Sequence, residues 1–517
     1  MSVRSAGTRP PGLPDSLDYP RVPVGAILAG AVRRYGDRVA FARGAESLTY
    51  VELGERAARF AHGLLARGLS TGDRVALRMP NCLEYPVAYY GTLLAGAVFV
   101  PVNPLLPEAA AARQIADAGA TLTVTAADVP GICAGQPATP PAVGLDLQAD
   151  LAHLAYTGGT TGESKGVRLP HRNVVVNTLQ YACWASGSVP ALDGYGGLVL
   201  DQIGSEEEWP TRLGTAVSIN LTPWFHAMGT VAGLNAAVLA GHTLHLHDRL
   251  DPAAYLADAE RLRVTSMGGA PALFAALLAC PDIHTRDLSS VRAISSGAAP
   301  MPMPMIKRLK ALAPDATVSE GYGLTEVTMG ATGGPMYRSG VRKVGTVGVP
   351  VFDTEVRIDG ASAPGERGEV CVRGPQVMAG YHNRPEATAQ VLVDGWLHTG
   401  DIGVLDEDGY LSIVDRMKDM LLYKGYNVYP RELEELLAAQ SGVLAAAVVG
   451  KPDDSVGELP VAFVVPASPS VSAAALMSAV NEQVVPYKQL RDVYLVDSIP
   501  VSAAGKVLKR ELRGRLS

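Results

Sequence analysis

Residues 156–167 read YTGGTTGESKGV, a run in which glycine and threonine crowd around a single lysine. Glycine tolerates the backbone angles that let successive N–H groups point into one concavity. Gly158 and Gly159 leave the backbone open, Thr157, Thr160 and Thr161 add hydroxyl donors, and Lys165 adds a mobile positive charge. A flexible linker accounts for the glycines but not for the lysine, whereas a loop that cradles a polyphosphate accounts for both. No Gly-Lys-Ser/Thr follows at the Walker A spacing, so this is not the common nucleoside-triphosphate loop. The apolar stretch LAHLAYT precedes the run and reads as a strand feeding it.

Five further stretches accompany the loop in fixed order: TPWFHAMG (222–229), EGYGLTE (320–326), GWLHTGDIG (395–403), DRMKDMLLYKGYNVYPRELE (415–434) and VSAAGKVLKREL (501–512). With the loop they resemble the adenylate-forming superfamily of acyl-CoA synthetases, luciferases and peptide-synthetase adenylation domains, and most of all its fatty-acyl and aryl carboxylate–CoA ligases. The resemblance spans nearly the whole chain. The departures are Gly158-Gly159, where the family varies, and Ser164, where proline is common; both keep the backbone donors and the lysine.

The resemblance implies a two-step reaction with ATP, Mg2+ and CoA. A carboxylate attacks the α-phosphate to give acyl-AMP and pyrophosphate, and a thiol then displaces AMP. Two anions must meet in the first step, so positive charge has to be aimed between them. By resemblance Lys506 is that charge and Glu326 is the Mg2+ ligand. Tyr322, with Gly323 and Thr325 beside it, walls the adenine together with Gly297, Ala298 and Ala299 of SSGAAP (295–300). Asp401 holds the ribose with Arg416 as its partner, and Lys418 sits at a hinge. Lys424 and Gly425 line the CoA tunnel, and His226 gates that tunnel from the acyl pocket.

Trp224, Met228, Val231, Ala232, Ala298 and Gly323 map to the pocket wall in the same way. That set is apolar and holds no cation, which suits an uncharged hydrophobic or aromatic small-molecule acid. Peptide-synthetase domains carry an aspartate just after the phenylalanine of the 222–229 stretch; here His226 follows Phe225, which argues against an α-amino acid. Besides a CoA ligase, three readings stay open: an acyl-AMP donor to a carrier protein, an enzyme that activates nitrite to diazotise an aromatic amine, and a non-catalytic homologue. His245 and His247 share one face of a predicted strand, but no third metal ligand lies near them in sequence.

These residues need rigid elements to position them. Helix-period and strand-like stretches alternate from residue 48 onward, as in an α/β chain with largely parallel sheet. Ala57, Phe60, Ala61 and Leu64 share a helix face, and YYGTLLAGAVFVPV reads as a core helix running into a buried strand. Near residue 350 the pattern turns to short strands and tight turns, and beyond Asp415 comes an α+β segment of about 100 residues, enough for a small domain. The expected organisation is therefore an N-terminal domain (1–414) of stacked α/β subdomains plus a small barrel-like β subdomain, and a mobile α+β domain (415–517) hinged near Lys418. Residues 185–215 are long for a connection and read as a lid or exposed excursion.

The 517 residues are 48% hydrophobic and 18% charged, enough apolar content for large cores. A net charge of −7 argues against a nucleic-acid partner bound through a basic surface. Five scattered cysteines without a CxxC pair suit a reducing, cytoplasmic setting, and no apolar stretch reads as a membrane span. Oligomeric state is not legible, and a homodimer is compatible with all of these features.

Overall fold

The computed structural model describes residues 10–157, 164–297, 301–502 and 506–516. Gly158, Gly159, Thr160, Thr161, Ala298 and Ala299 lie outside the described residues.

The α/β expectation holds from the first elements. The helix Tyr50–Ala66 opens on Thr49, whose hydroxyl accepts from Glu52 N while Glu52 accepts from Thr49 N, a reciprocal cap. Its apolar stripe, including Ala57, Phe60, Ala61 and Leu64, is fully buried. Gly91 in the next helix, Glu84–Leu94, lets the two pack closely, because a Cβ there would meet Phe60 at 2.7 Å. That helix runs into the wholly buried strand Val98–Pro101.

Two of the sheets with parallel strands bear the motif loops. In one the order is Leu122–Val124, Arg74–Leu77, Val98–Pro101, Leu151–Tyr156, Gly166–Pro170, parallel until the last strand returns antiparallel. The other runs Ser266–Gly269, Ala293–Ser296, Thr317–Tyr322, parallel, and continues antiparallel through Thr332–Gly333 and Val349–Pro350. Open parallel sheets bind ligands beyond the carboxyl ends of their strands. The glycine loop, SSGAAP and EGYGLTE leave from such ends: Tyr156, Ser296 and Tyr322. A third sheet, Val217–Asn220, Thr243–Leu246, Val39–Arg43, Glu46–Thr49, backs the 222–229 stretch.

An open antiparallel sheet forms the β subdomain, from Glu355–Asp359 through Arg367–Arg373 and Trp396–Leu405 to Leu411–Arg416. Leu411–Arg416 still belongs to it, and the chain passes to the last sheet over residues 417–420. That last sheet pairs Tyr426–Val428, Leu421–Tyr423, Gly457–Pro466 and Val443–Asp453, with Asp492–Leu495 parallel at its edge. It has its own apolar core around Leu433, Leu437, Val448 and Val464.

The 185–215 segment corrects the expectation of a lid. Its strands Ser188–Leu192 and Leu198–Gln202 form a hairpin, and Trp209 beyond it is fully buried. Gly187 and Gly204 make room for the indole, since a Cβ on either would come within 2.5 Å and 2.0 Å of it. Tyr337 packs against the same ring at 5.2 Å. Arg33 clasps Asp193 in the hairpin with two hydrogen bonds, and the Glu208 carboxylate accepts from Ser339 N. The segment is a docked brace. No helix among the described residues is long and apolar enough to cross a membrane. The five cysteines are all free thiols.

Trp209→Ala should therefore lower the unfolding free energy by about 3–5 kcal/mol in denaturant titration, the cost of emptying a large aromatic site. A change below about 0.5 kcal/mol, the range of surface substitutions, would mean that the brace is only loosely attached.

Candidate active site

Asp401 is the most constrained carboxylate of the cleft. It lies on Trp396–Leu405 directly across the ladder from Arg416 on Leu411–Arg416, so strand register alone sets the two side chains beside each other. The Arg416 Nε stands 3.4 Å from Asp401 Oδ1, and the Tyr322 hydroxyl donates to Oδ2 at 2.6 Å. Burial and the neighbouring Asp401 charge push the Tyr322 phenol well up, so it stays a donor. Tyr322 thus joins the second parallel sheet to the β subdomain at the point where the sequence motifs place a nucleotide.

The turn after Tyr322 is crowded. A Cβ on Gly323 would meet Met329 O at 1.9 Å, and one on Gly330 would meet the Tyr181 hydroxyl at 2.0 Å. The buried Asn177 amide clasps Gly330, accepting from its N at 3.0 Å and donating to its carbonyl at 2.9 Å. Thr328 is held at φ 69, an unusual conformation for a β-branched residue, with its hydroxyl donating to Gln376 O at 2.7 Å. Thr325 and Thr328 line a cavity with His226, Phe225, Ala227 and the buried His153.

Glu326 is the middle residue of the short helical turn Thr325–Val327. One of its oxygens accepts from the Tyr381 hydroxyl at 2.7 Å, and the other accepts no hydrogen bond among the described residues. A hard carboxylate oxygen left open in this way fits a Mg2+ ion, which takes one or two carboxylates and completes its shell with phosphate and water.

Of the glycine loop, its two ends are described. Thr157 N donates to Lys165 O at 3.0 Å, and Lys165 N donates to the Thr157 hydroxyl at 3.2 Å, closing the mouth. The Lys165 ammonium lies over the Tyr381 ring, 4.7 Å from its centroid.

Lys506, far away in sequence, reaches the same cleft. The bridge Val501↔Val507 and the bonds Ser502 N to Lys506 O (2.7 Å) and Lys506 N to the Ser502 hydroxyl (3.2 Å) hold it beside Ser502. Burial pushes its ammonium down to about 8, the nearby Arg416 acting in the same direction, against the pull of Asp401, Asp419 and Glu326. Burial and then the Lys506 charge push His226 down as well, so its imidazole is neutral at pH 7. Lys509 pairs with Glu434 at 2.8 Å and Arg513 with Asp419 at 3.1 Å, fastening the C-terminal helix beneath.

The remaining expected residues divide. Gly297 faces Met228, whose sulfur would lie 3.1 Å from an added Cβ. Trp224 has no exposed surface and packs on Phe41 and Tyr85, so it supports the 222–229 stretch from behind. Val231 and Ala232 fall in a π-helical stretch, Gly229–Ala236, a geometry that often marks functional sites. Lys418, Lys424 and Gly425 are exposed. Lys424 (φ 51) and Gly425 (φ 79) form a two-residue turn of the primed kind that joins Leu421–Tyr423 to Tyr426–Val428.

His247 bonds Asp258 at 3.0 Å. Glu369, Cys371 and His398 are the metal-like triplet found among the described residues, but His398 already bonds Glu369 at 2.7 Å, and Glu369 accepts from Gly400 N. That triplet buttresses the strand bearing Asp401. Sequence reasoning missed Tyr381, Asn177, Asp419 and Arg513, whose types carry no signature until the fold brings them to the cleft.

Comparison with known proteins agrees with this geometry. Residues 28–382 match the family model described as AMP-binding enzyme, and residues 432–506 match the AMP-binding enzyme C-terminal domain. The chain is 38% identical to a feruloyl-CoA synthase of an Amycolatopsis species, over 91% of this chain and 94% of that one. It is 35% identical to a long-chain-fatty-acid–CoA ligase of Salmonella typhimurium, over 93% and 92%. Among solved structures, ATP-bound MatB from Rhodopseudomonas palustris superposes with a TM-score of 0.82 at 28% identity, covering 95% of this chain and 98% of its own.

Proposed function

The chain belongs to the AMP-binding enzyme family, and from that premise we propose that it is an ATP- and Mg2+-dependent carboxylate–CoA ligase acting on a hydrophobic or aromatic acid. The observation that carries this reading is the convergence of Lys506, Asp401 and Glu326 on one cleft from three separate parts of the chain. Relatives that are named as ligases of aromatic and of long-chain acids support the substrate class.

In the first step Asp401 and Arg416 hold the ribose, and the glycine loop with Lys165 holds the outer phosphates. The Lys506 ammonium lies between the acid and the α-phosphate. An oxygen of the acid attacks phosphorus, a P–O bond forms, and the bond to pyrophosphate breaks with its electron pair leaving on pyrophosphate. Glu326 would hold the Mg2+ ion, which when bound supplies charge neutralisation at the phosphates. The buried ammonium is worth more here than in water, because little solvent screens it.

For the second step the small domain turns about the segment at Lys418 and exchanges the Lys506 turn for the Lys424-Gly425 turn. The thiolate of CoA then attacks the carbonyl carbon and AMP departs. Glycine at 425 lets the pantetheine arm pass close to the backbone, and the neutral His226 gates the passage between acid and thiol. A cytoplasmic setting is the reading that the free thiols support, and a homodimer is compatible with it.

The functional test is a panel of aromatic and long-chain acids, scored for AMP release with and without CoA. CoA-dependent release supports the ligase, and release without CoA points to another acceptor. Lys506→Ala should abolish pyrophosphate formation while leaving the unfolding transition intact; wild-type adenylation in that variant would overturn the assignment.

The adenylation kcat/KM should also fall by about tenfold per pH unit above pH about 8, as the free enzyme's Lys506 loses its proton. At pH 7 the protonated form dominates, so a rate that kept rising through pH 9 would exclude Lys506 as the required charge.

Gly425→Trp should block thioester formation and spare acyl-AMP formation. Equal loss of both half-reactions would count against the tunnel role of this turn.

A further inference from the structure

The strip Met378–His382 is sewn between the two motifs that handle phosphate. On one side Met378 N donates to Glu326 O at 2.8 Å. On the other, Ala379 N donates to Arg168 O (3.0 Å), Arg168 N to Gly380 O (3.0 Å) and His382 N to Gly166 O (2.7 Å), all just past the glycine loop. Tyr381 sits at the centre of this strip, 8% exposed, with its own N donating to the Thr388 hydroxyl at 2.9 Å.

The ring of Tyr381 separates two opposite charges. Its hydroxyl donates to Glu326 Oε1 at 2.7 Å, while its face carries the Lys165 ammonium at 4.7 Å from the centroid. In a half-dry cleft a bare ammonium and a bare carboxylate attract strongly. Collapsed into an ion pair they would consume each other, the lysine lost to phosphate and the glutamate lost to metal. An aromatic ring satisfies both at once, taking the cation on its negative face and the anion at its hydroxyl.

We propose that Tyr381 is a positioning residue that keeps Lys165 and Glu326 apart and aims one at the nucleotide's phosphates and the other at Mg2+. The inference rests on the reading of Lys165 and Glu326 given above, and the experiment separates the two.

The measurement is calorimetric binding of α,β-methylene-ATP to the full chain, without acid or turnover, across a series of Mg2+ concentrations and in EDTA. Tyr381→Phe keeps the ring and removes the hydroxyl. It should raise the Mg2+ concentration for half-maximal affinity by about tenfold, the loss of one charge-assisted hydrogen bond, with affinity in EDTA unchanged. Tyr381→Leu removes the ring too and should weaken binding in EDTA as well. An unshifted Mg2+ requirement in Tyr381→Phe, in a background where Glu326→Gln does shift it, overturns the proposal alone. An unshifted requirement in Glu326→Gln overturns the underlying metal reading. Should Tyr381→Leu fail to fold, the Phe variant decides.

Discussion

A carboxylate and a triphosphate repel each other, so a site that joins them must hold positive charge where solvent cannot screen it. Burying an ammonium for that purpose costs several kcal/mol unless partners share its charge. Lys506 bears that cost visibly, since burial pushes it down to about 8 despite Asp401, Asp419 and Glu326 nearby. A backbone bridge and a serine clasp join the described residues on either side of it, and two ion pairs fasten the helix that follows. Asp401 and Glu326 come from earlier parts of the chain and Asp419 from the segment between the last two sheets, and together they make the buried charge tolerable.

The large domain reaches the same point by geometry of a different kind. Strand register pairs Asp401 with Arg416, and Tyr322 ties that pair to the end of a parallel strand in another sheet. Tyr381 does the equivalent between the glycine loop and Glu326. Each junction is a tyrosine whose hydroxyl meets a carboxylate, and each phenol is kept protonated by burial and by that carboxylate's charge. Such junctions fix both sheets to one frame, so the cleft is preorganised.

Much of this was legible in the sequence, for reasons of period and composition. The buried face of Tyr50–Ala66 and the helix-to-strand run ending at Pro101 both follow from spacing. The motif residues were readable because the resemblance covered nearly the whole chain. Residues 185–215 misled because length and polarity suggest a loose loop, whereas one buried tryptophan fitted against two glycines docks the segment. Tyr381, Asn177 and Asp419 were invisible, since a single tyrosine, asparagine or aspartate gains its role only from contacts made across the fold. Trp224, expected at the acyl pocket wall, packs its ring on Phe41 and Tyr85 with no exposed surface.

The tightness around Gly323 has an evolutionary consequence. A methyl group there would overlap a backbone oxygen, so almost every single substitution at this position is closed to the chain. Met228, by contrast, meets its neighbour Gly297 through a pliable thioether that can yield or be exchanged. The cleft thus combines a frozen patch beside the nucleotide motif with an adjustable one beside the expected acid. A lineage built on this scaffold can drift in what it activates far more freely than in how activation is performed.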